Sequence, residues 1–83
     1  MPRQHTYATQ AIVLRRSSVG ETDCLVTLYT ENYGKMRAFA RGVRKPNSKL
    51  GGHLELLNQV NLLITQSRSL PLITQADMVQ GFY

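Results

Sequence analysis

The chain has 83 residues, 42% of them hydrophobic and 18% charged, with a formal net charge of +5 at pH 7. This length and composition fit one small globular domain, which excludes a multidomain organisation and argues against disorder. Cys24 stands alone, which excludes an internal disulfide and fits a reducing, cytoplasmic compartment. No apolar run approaches the length of a membrane span, and the first residues lack the plan of a signal peptide.

The first strand-like run covers residues 7–16 and contains four apolar residues in succession, from Ala11 to Leu14. Because the run is short and rich in β-branched residues, it predicts a strand that is buried on both faces. Residues 17–20 (SSVG) break this run, and Gly20 is the predicted turn residue.

A second run, residues 24–30, predicts a strand with Leu25, Thr27 and Tyr29 on one face. Cys24 lies in this apolar run and is predicted to be a small buried hydrophobe rather than a nucleophile. A short polar link that ends in Gly34 joins this run to the next, and such a link predicts a hairpin. The hairpin would bring Tyr29 and Thr27 within cross-strand reach of the third run.

The third run and the loop after it carry most of the positive charge. Residues 34–49 hold six of the ten basic residues and no acidic one. If residues 35–43 are extended, one face is basic with Phe39 at its centre and Val43 at its end, and the other is small and apolar. A solvated strand that only aids solubility is the alternative. Because the charge continues into the loop, we favour a face that binds phosphates and stacks bases. Its predicted residues are Lys35, Arg37, Phe39, Arg41, Arg44, Lys45 and Lys49. For Phe39 the alternative stays open that the ring packs in the core, because the register of this strand is not fixed by the sequence.

The second half of the chain predicts two more strands. Pro46 is predicted to end the basic strand, and residues 47–52 read as a loop with room for one short helical turn. Spacing alone would allow a helix after residue 54, but the alternation of Val60, Leu62 and Ile64 favours a strand over residues 59–66. Residues 67–69 predict a hairpin-like break and residues 72–79 a final strand. The fold class predicted is all-β, a small five-stranded antiparallel barrel of the OB-fold type, with an SH3-like barrel as the alternative.

The end of the chain is apolar and predicts a continuation. Residues 81–83 (GFY) would leave Phe82 and Tyr83 exposed beside Val79. We therefore expect residues 1–83 to be a single OB-fold nucleic-acid-binding domain and an N-terminal fragment of a longer protein.

Candidates for catalysis and for cofactor binding are weak. Glu21 and Asp23 supply two carboxylates, whereas a hard metal ion takes six or more oxygens or a substrate phosphate, so a loop salt bridge is preferred. His5 and His53 with a single cysteine give no zinc spacing. The loop serines have no nearby base, and the phosphate-binding motif GxxxxGK[ST] does not occur. The sequence predicts a protein that is not an enzyme and that needs no cofactor or metal.

A series of short motifs recurs in a specific order and spacing along the chain: Gly20-Glu21-Thr22, Leu28-Tyr29-Thr30, Gly34-Lys35, Ala40-Arg41-Gly42, the run 44–50 (RKPNSKL) and the run 72–77 (LITQAD). Together they resemble the N-terminal domain of the RecO family of bacterial recombination mediators, over about residues 11–79. The resemblance implies an OB-fold that binds single- and double-stranded DNA without strong sequence preference. The basic strand and loop of the family match the six basic positions that charge also selects.

The resemblance also implies a place in DNA repair and homologous recombination. Members of the family anneal complementary strands and help RecA replace single-strand binding protein, which implies a bacterial, cytoplasmic location near the nucleoid. RecR is the partner implied near this domain, and no membrane partner is expected. The helical, cysteine-bearing region that follows the barrel in full-length members lies outside these 83 residues, so nothing is predicted from it.

Two functions remain open on the residues alone. The first is a DNA-binding barrel that acts by backbone contacts and stacking. The second is a protein docking module whose basic face binds an acidic partner surface, since the same arginines serve both purposes.

Overall fold

The computed structural model describes residues 5–48, 53–66 and 70–79. Five strands form one closed barrel in the order β1-β2-β3-β5-β4. Their bounds are β1 (His5–Val19), β2 (Asp23–Thr30), β3 (Gly34–Ala40), β4 (Gln59–Gln66) and β5 (Leu72–Met78). The predicted all-β barrel of the OB-fold type is confirmed, and β4 has the predicted bounds.

β1 is long enough to pair with two neighbours. Its part from His5 to Ile12 pairs antiparallel with β4, and its part from Ala11 onward pairs antiparallel with β2. The pairs β2–β3 and β4–β5 are also antiparallel. The barrel closes where Phe39 of β3 pairs in parallel with Leu72 of β5. The sheet is therefore antiparallel, as predicted, except at this closing contact.

The core fills the barrel and comes from alternate positions of the strands. β3 contributes small side chains to it, the fully buried Ala38 and Ala40, as its pattern predicts. Larger aliphatic side chains fill the rest. The largest that are fully buried are Val13, Val26, Leu28, Leu54, Val60, Leu62 and Ile64. Because a slip of one residue would turn each set outward, this core fixes the strand register and so the outer surface as well.

β1 is not buried on both faces, so that prediction is wrong. Ala11 and Val13 are 3% and 0% exposed, whereas Ile12 and Leu14 are 38% and 42% exposed. One side of β1 faces the core and the other faces solvent, as in most antiparallel sheets. The continuous apolar run therefore indicates a β-strand but not its burial.

β1 and β3 end at residues other than those predicted. β1 continues to Val19 because its ladder with β2 extends that far, and Gly20 then makes the predicted turn with a φ of 62°. β3 ends at Ala40, well before Pro46. The cause is Gly42, whose φ of 68° turns the chain out of the strand.

The connection from β3 to β4 forms turns in its described parts, 41–48 and 53–58, and the predicted helical turn is not found there. The rest of that loop, the predicted break at 67–69 and the residues after 79 lie outside the described residues. Within the described ranges, no helix has the length and apolar character needed to cross a membrane.

Candidate nucleic-acid interface

The solvent-facing surface of β1, β2 and β3 arranges side chains in three rows across the strands. We call this surface the outer face. The rows are Ile12–Tyr29–Lys35, Arg15–Thr27–Arg37 and Ser17–Leu25–Phe39. Neighbouring strands lie about 4.7–4.9 Å apart and successive rows about 6.5–7 Å apart, so the nine side chains form one continuous surface. The predicted reach of Tyr29 and Thr27 to the basic strand is confirmed, since they pair with Lys35 and Arg37.

The predicted residues of β3 alternate as expected up to the strand end. Lys35 and Arg37 are exposed, and Phe39 is half-buried. The backbone N–H of Phe39 donates to Pro71 O at 2.8 Å, so this ring lies where β5 closes the barrel. Among the described residues no ion pair involves the cations of the outer face, which leaves their charge available to a ligand.

Arg15 belongs to the outer face although sequence reasoning did not select it. The ladder with β2 shifts between Val13 and Arg15, which makes Leu14 the extra residue of a β-bulge. Regular alternation from the buried Val13 would turn Arg15 inward and Arg16 outward. The bulge reverses this phase, so Arg15 lies opposite Thr27 on the outer face. A single inserted residue leaves no reliable trace in the hydrophobic pattern, and only the strand register reveals it.

Arg16 lies on the opposite side of the same strand. It pairs with the fully buried Val26, and its Nη1 lies 3.6 Å from Glu55 Oε2. Its Nη2 also donates a weak hydrogen bond to the Sγ of Cys24 at 3.9 Å. Cys24 is 2% exposed, so its predicted burial is confirmed. Arg15 and Arg16 are therefore adjacent cations with different surroundings, one facing solvent and one held by the fold.

A shallow groove of about 560 Å³ lies along the second row. Its lining is half cationic and consists of Leu14, Arg15, Thr27, Lys35, Met36 and Arg37. A groove that collects like charge focuses positive potential, and arginine presents planar donors that match phosphate oxygens. The groove is therefore suited to a sugar–phosphate backbone.

The basic loop, residues 41–48, is fastened to the end of the outer face by Asp23. The backbone N–H of Gly42 donates to Asp23 Oδ1 at 2.6 Å, and the N–H of Arg44 donates to Thr22 O at 2.8 Å. The hydrogen bond from Gly42 is the main cause that holds the pKa of Asp23 below its ordinary value, although partial burial opposes it. The Thr22 hydroxyl and two nearby loop cations lower this pKa further. Among the described residues Asp23 has no ion-pair partner, and its carboxylate accepts backbone and hydroxyl hydrogen bonds where a loop salt bridge was expected.

The predicted cations of the basic loop lie at the end of the outer face that is formed by the third row, Ser17–Leu25–Phe39. Arg41, Arg44 and Lys45 are exposed, and the charges of Arg41 and Lys45 lie close enough to Asp23 to affect its pKa. Arg44 Nη1 also donates to the carbonyl of the β1–β2 turn, Gly20 O, at 3.2 Å. Lys49 lies outside the described residues, so its predicted place on this surface stays a prediction.

Val43 does not share the basic face, so that part of the prediction is wrong. Val43 is 3% exposed and packs in the core. The strict alternation of residues 35–43 required an extended chain, but β3 ends at Ala40 and Gly42 turns the backbone. The turn directs an apolar side chain inward between two cations that remain exposed.

No group of three or more His, Cys, Asp and Glu side chains lies together as a metal site in the part of the chain that the structure describes. The expectations of no metal, no cofactor and no enzymatic activity remain predictions.

The fold and the site define a class of protein, a small OB-type barrel with a cationic outer face that carries an exposed aromatic ring. A family model described as Recombination protein O N terminal matches residues 2–82. The chain belongs to this family.

Curated relatives agree with this assignment. The chain is 42% identical over 76 residues to a DNA repair protein RecO of Bifidobacterium adolescentis, covering 92% of the chain and 31% of that relative. It is 42% identical over 80 residues to the DNA repair protein RecO of a Roseiflexus species, covering 96% and 28%. A third, from Dehalococcoides mccartyi, is 37% identical over 82 residues, covering 99% and 32%. The chain thus spans about a third of the length of these relatives.

Proposed function

We propose that the chain binds single- and double-stranded DNA without sequence preference, through the outer face and the basic loop. The observation that carries the proposal is the second row, where the bulge at Leu14 aligns Arg15 with Thr27 and Arg37 across three strands. Neither arginine has an acidic partner among the described residues, so both are available to phosphate oxygens.

The mechanism is electrostatic and does not depend on base sequence. Lysine and arginine side chains that neutralise phosphates release condensed counterions, which favours binding to any strand. Phosphate contacts fix position and orientation, whereas sequence is read by contacts to base edges. The cationic lining of the groove supplies the first kind of contact, so we expect little discrimination between sequences.

The biological setting that we propose follows the family. The relatives are named DNA repair proteins, and we propose a role in DNA repair and homologous recombination for this chain. Strand annealing, help to RecA in replacing single-strand binding protein, and docking of RecR near this barrel are the finer parts of the proposal. The relatives are about three times as long as this chain, so these finer activities are not proposed for the barrel alone. On the same grounds we propose a location in the bacterial cytoplasm near the nucleoid.

The test is reversal of charge at two predicted contacts, Arg37→Glu with Arg41→Glu. We expect affinity for oligonucleotides of unrelated sequence to fall equally, by about 10- to 30-fold, taking about 0.3–0.5 kcal/mol for each unit of charge changed. Fluorescence anisotropy at two salt concentrations measures this, and circular dichroism checks the fold. A control, Asn61→Glu with Gln75→Glu, adds negative charge at exposed positions of β4 and β5. Unchanged affinity of the Arg37/Arg41 variant, or an equal loss in the control, contradicts the assigned surface.

The part of β3 that precedes its closing pair with β5 favours the second candidate function, a protein docking module. β3 pairs with β5 at Phe39, and within the described residues its other residues have a ladder partner on the β2 side alone. An extended acidic peptide could add to this edge as a further strand, beside Lys35 and Arg37. Binding of an acidic peptide together with no oligonucleotide binding at low salt would favour this function over the first.

A further inference from the structure

We propose that the outer face contains a subsite for one unpaired nucleobase, formed by the ring of Tyr29 and a depression beside it. This rests on the proposed function and goes further, because it assigns single strands as the preferred ligand. A base inside a duplex is paired and stacked, so such a subsite can be filled only by a strand that is already unpaired.

Tyr29 is the ring on the outer face that is free to stack. It is 58% exposed and stands at the centre of the first row, between Ile12 and Lys35. Phe39, which the sequence selected for stacking, is half-buried where the barrel closes. Tyr33 is also exposed, but it lies in the β2–β3 turn and packs against Tyr7 with ring centroids 4.6 Å apart. Of these rings, Tyr29 therefore has both the exposure and the neighbouring cation that base stacking beside a phosphate requires.

A depression of about 270 Å³ lies beside this ring, and Ile12 forms part of its apolar lining. Two glutamine side chains line its far side, and Gln59 Nε2 donates to Gln10 Oε1 at 3.3 Å. No further partner joins the Gln10 amide nitrogen or the Gln59 amide oxygen among the described residues. One donor and one acceptor of glutamines that line the depression are therefore left over from this hydrogen bond, and they can serve the edge of a stacked base.

The two ends of the outer face carry opposite charges, and this would direct the phosphates of a bound strand to one end and a base to the other. Glu31 lines the depression, and its carboxylate disfavours a phosphate there. The cationic groove begins at Lys35, directly opposite Tyr29, and continues to Arg37. A single strand that lays its backbone in the groove can thus turn one base onto Tyr29, toward the amides and away from the cations.

The test compares Tyr29→Ala with Tyr29→Phe on a short single strand and on the corresponding duplex. Stacking is worth about 1–3 kcal/mol per base, so Tyr29→Ala should weaken single-strand binding by about 5- to 150-fold. Duplex binding should change by less than about twofold, since a paired base cannot reach the ring. Tyr29→Phe should bind as the unmodified chain does because the ring remains. The chain has no tryptophan, so quenching of tyrosine emission by the bound strand offers a second readout, reduced in Tyr29→Ala.

Two further variants keep the result interpretable. Tyr29→Leu retains apolar bulk on β2 without a ring and should lose single-strand affinity as Tyr29→Ala does, even if the latter folds poorly. Tyr33→Ala removes an exposed tyrosine outside the subsite and should leave single-strand affinity unchanged. The proposal is overturned if Tyr29→Leu keeps full single-strand affinity, or if single-strand and duplex affinities fall together. If the arginine variants lose binding while the Tyr29 variants do not, the subsite is wrong and the proposed function stands; if neither set matters, both fail.

Discussion

The phosphate contacts assigned to the outer face can be counted by the salt dependence of binding. The perturbation is Arg15→Ala and Arg37→Ala, singly and together. The adjacent Arg16→Ala is the control, since Arg16 pairs with Glu55 on the other side of β1. All three single changes remove one positive charge, so a difference between them reports position and not net charge.

The structure sets the expected magnitude. The outer face and the basic loop together have six described cations, which are Arg15, Lys35 and Arg37 on the outer face and Arg41, Arg44 and Lys45 in the basic loop. Six phosphate contacts give a log–log salt slope of about −4 on single strands, so affinity falls about 300-fold between about 50 and 200 mM salt. Loss of one contact reduces that fall to about 130-fold, and loss of two to about 50-fold.

The assay is fluorescence anisotropy with a short labelled single strand at five or more salt concentrations, and the slope is the quantity compared. We expect Arg15→Ala and Arg37→Ala each to make the slope shallower by about 0.7, and the double variant by about 1.4. Arg16→Ala should leave the slope unchanged. A shallower slope for Arg16→Ala with no change for Arg15→Ala would contradict the conclusion that the bulge turns Arg15, and not Arg16, toward the outer face.

Two further predictions concern the stability of the barrel. The hydrogen bond from the N–H of Gly42 is the main reason that the pKa of Asp23 is lower in the folded chain than its ordinary value. The ionised carboxylate therefore stabilises the fold at any pH above the pKa that Asp23 has in the unfolded chain, and this stabilisation is lost as the pH falls through the pKa in the folded chain. The urea midpoint of Asp23→Asn should therefore lie below that of the unmodified chain at neutral pH and converge with it in acid; a constant difference would contradict this cause. Leu57 has a φ of 66° and is 75% exposed, and Leu57→Gly should raise the free energy of unfolding by about 0.5–1 kcal/mol, because relief of left-handed strain exceeds the added freedom of the unfolded chain. Leu57→Ala keeps a Cβ and should gain little in urea denaturation; an equal gain for both variants would exclude strain as the reason.

The elements that could be predicted from sequence are those with unbroken alternation. β4 has the predicted bounds, and in it Val60, Leu62 and Ile64 are all buried. The faces of β2 are also as predicted, with Leu28 inward and Tyr29 outward. In these strands the period of two is imposed by a core on one side, so pattern and structure agree.

The missed features come from local backbone geometry that leaves little trace in composition. The bulge at Leu14 changes the phase of β1 halfway along and so decides that Arg15 joins the outer face. The positive φ of Gly42 ends the alternation that would have placed Val43 among the cations. For Val43 the residue type was recognised and the direction of its side chain was wrong, whereas Arg15 was not selected at all. The exposure of Tyr29 relative to Phe39 likewise depends on where the barrel closes, which is a non-local contact.

The cations of the outer face and those of the basic loop are held in position by different interactions, and this affects how each surface would bind DNA. The arginines of the second row stand on paired strands, so the ladder fixes their spacing and a ligand must fit it. The cations of the basic loop follow a turn that hydrogen bonds to Asp23 and Thr22 hold against β2. Acid that protonates Asp23 weakens the attachment of the loop without touching the strands. We therefore expect acid to reduce the contribution of the loop before that of the strand groove, so that contacts near Tyr29 persist when those near Arg41 weaken.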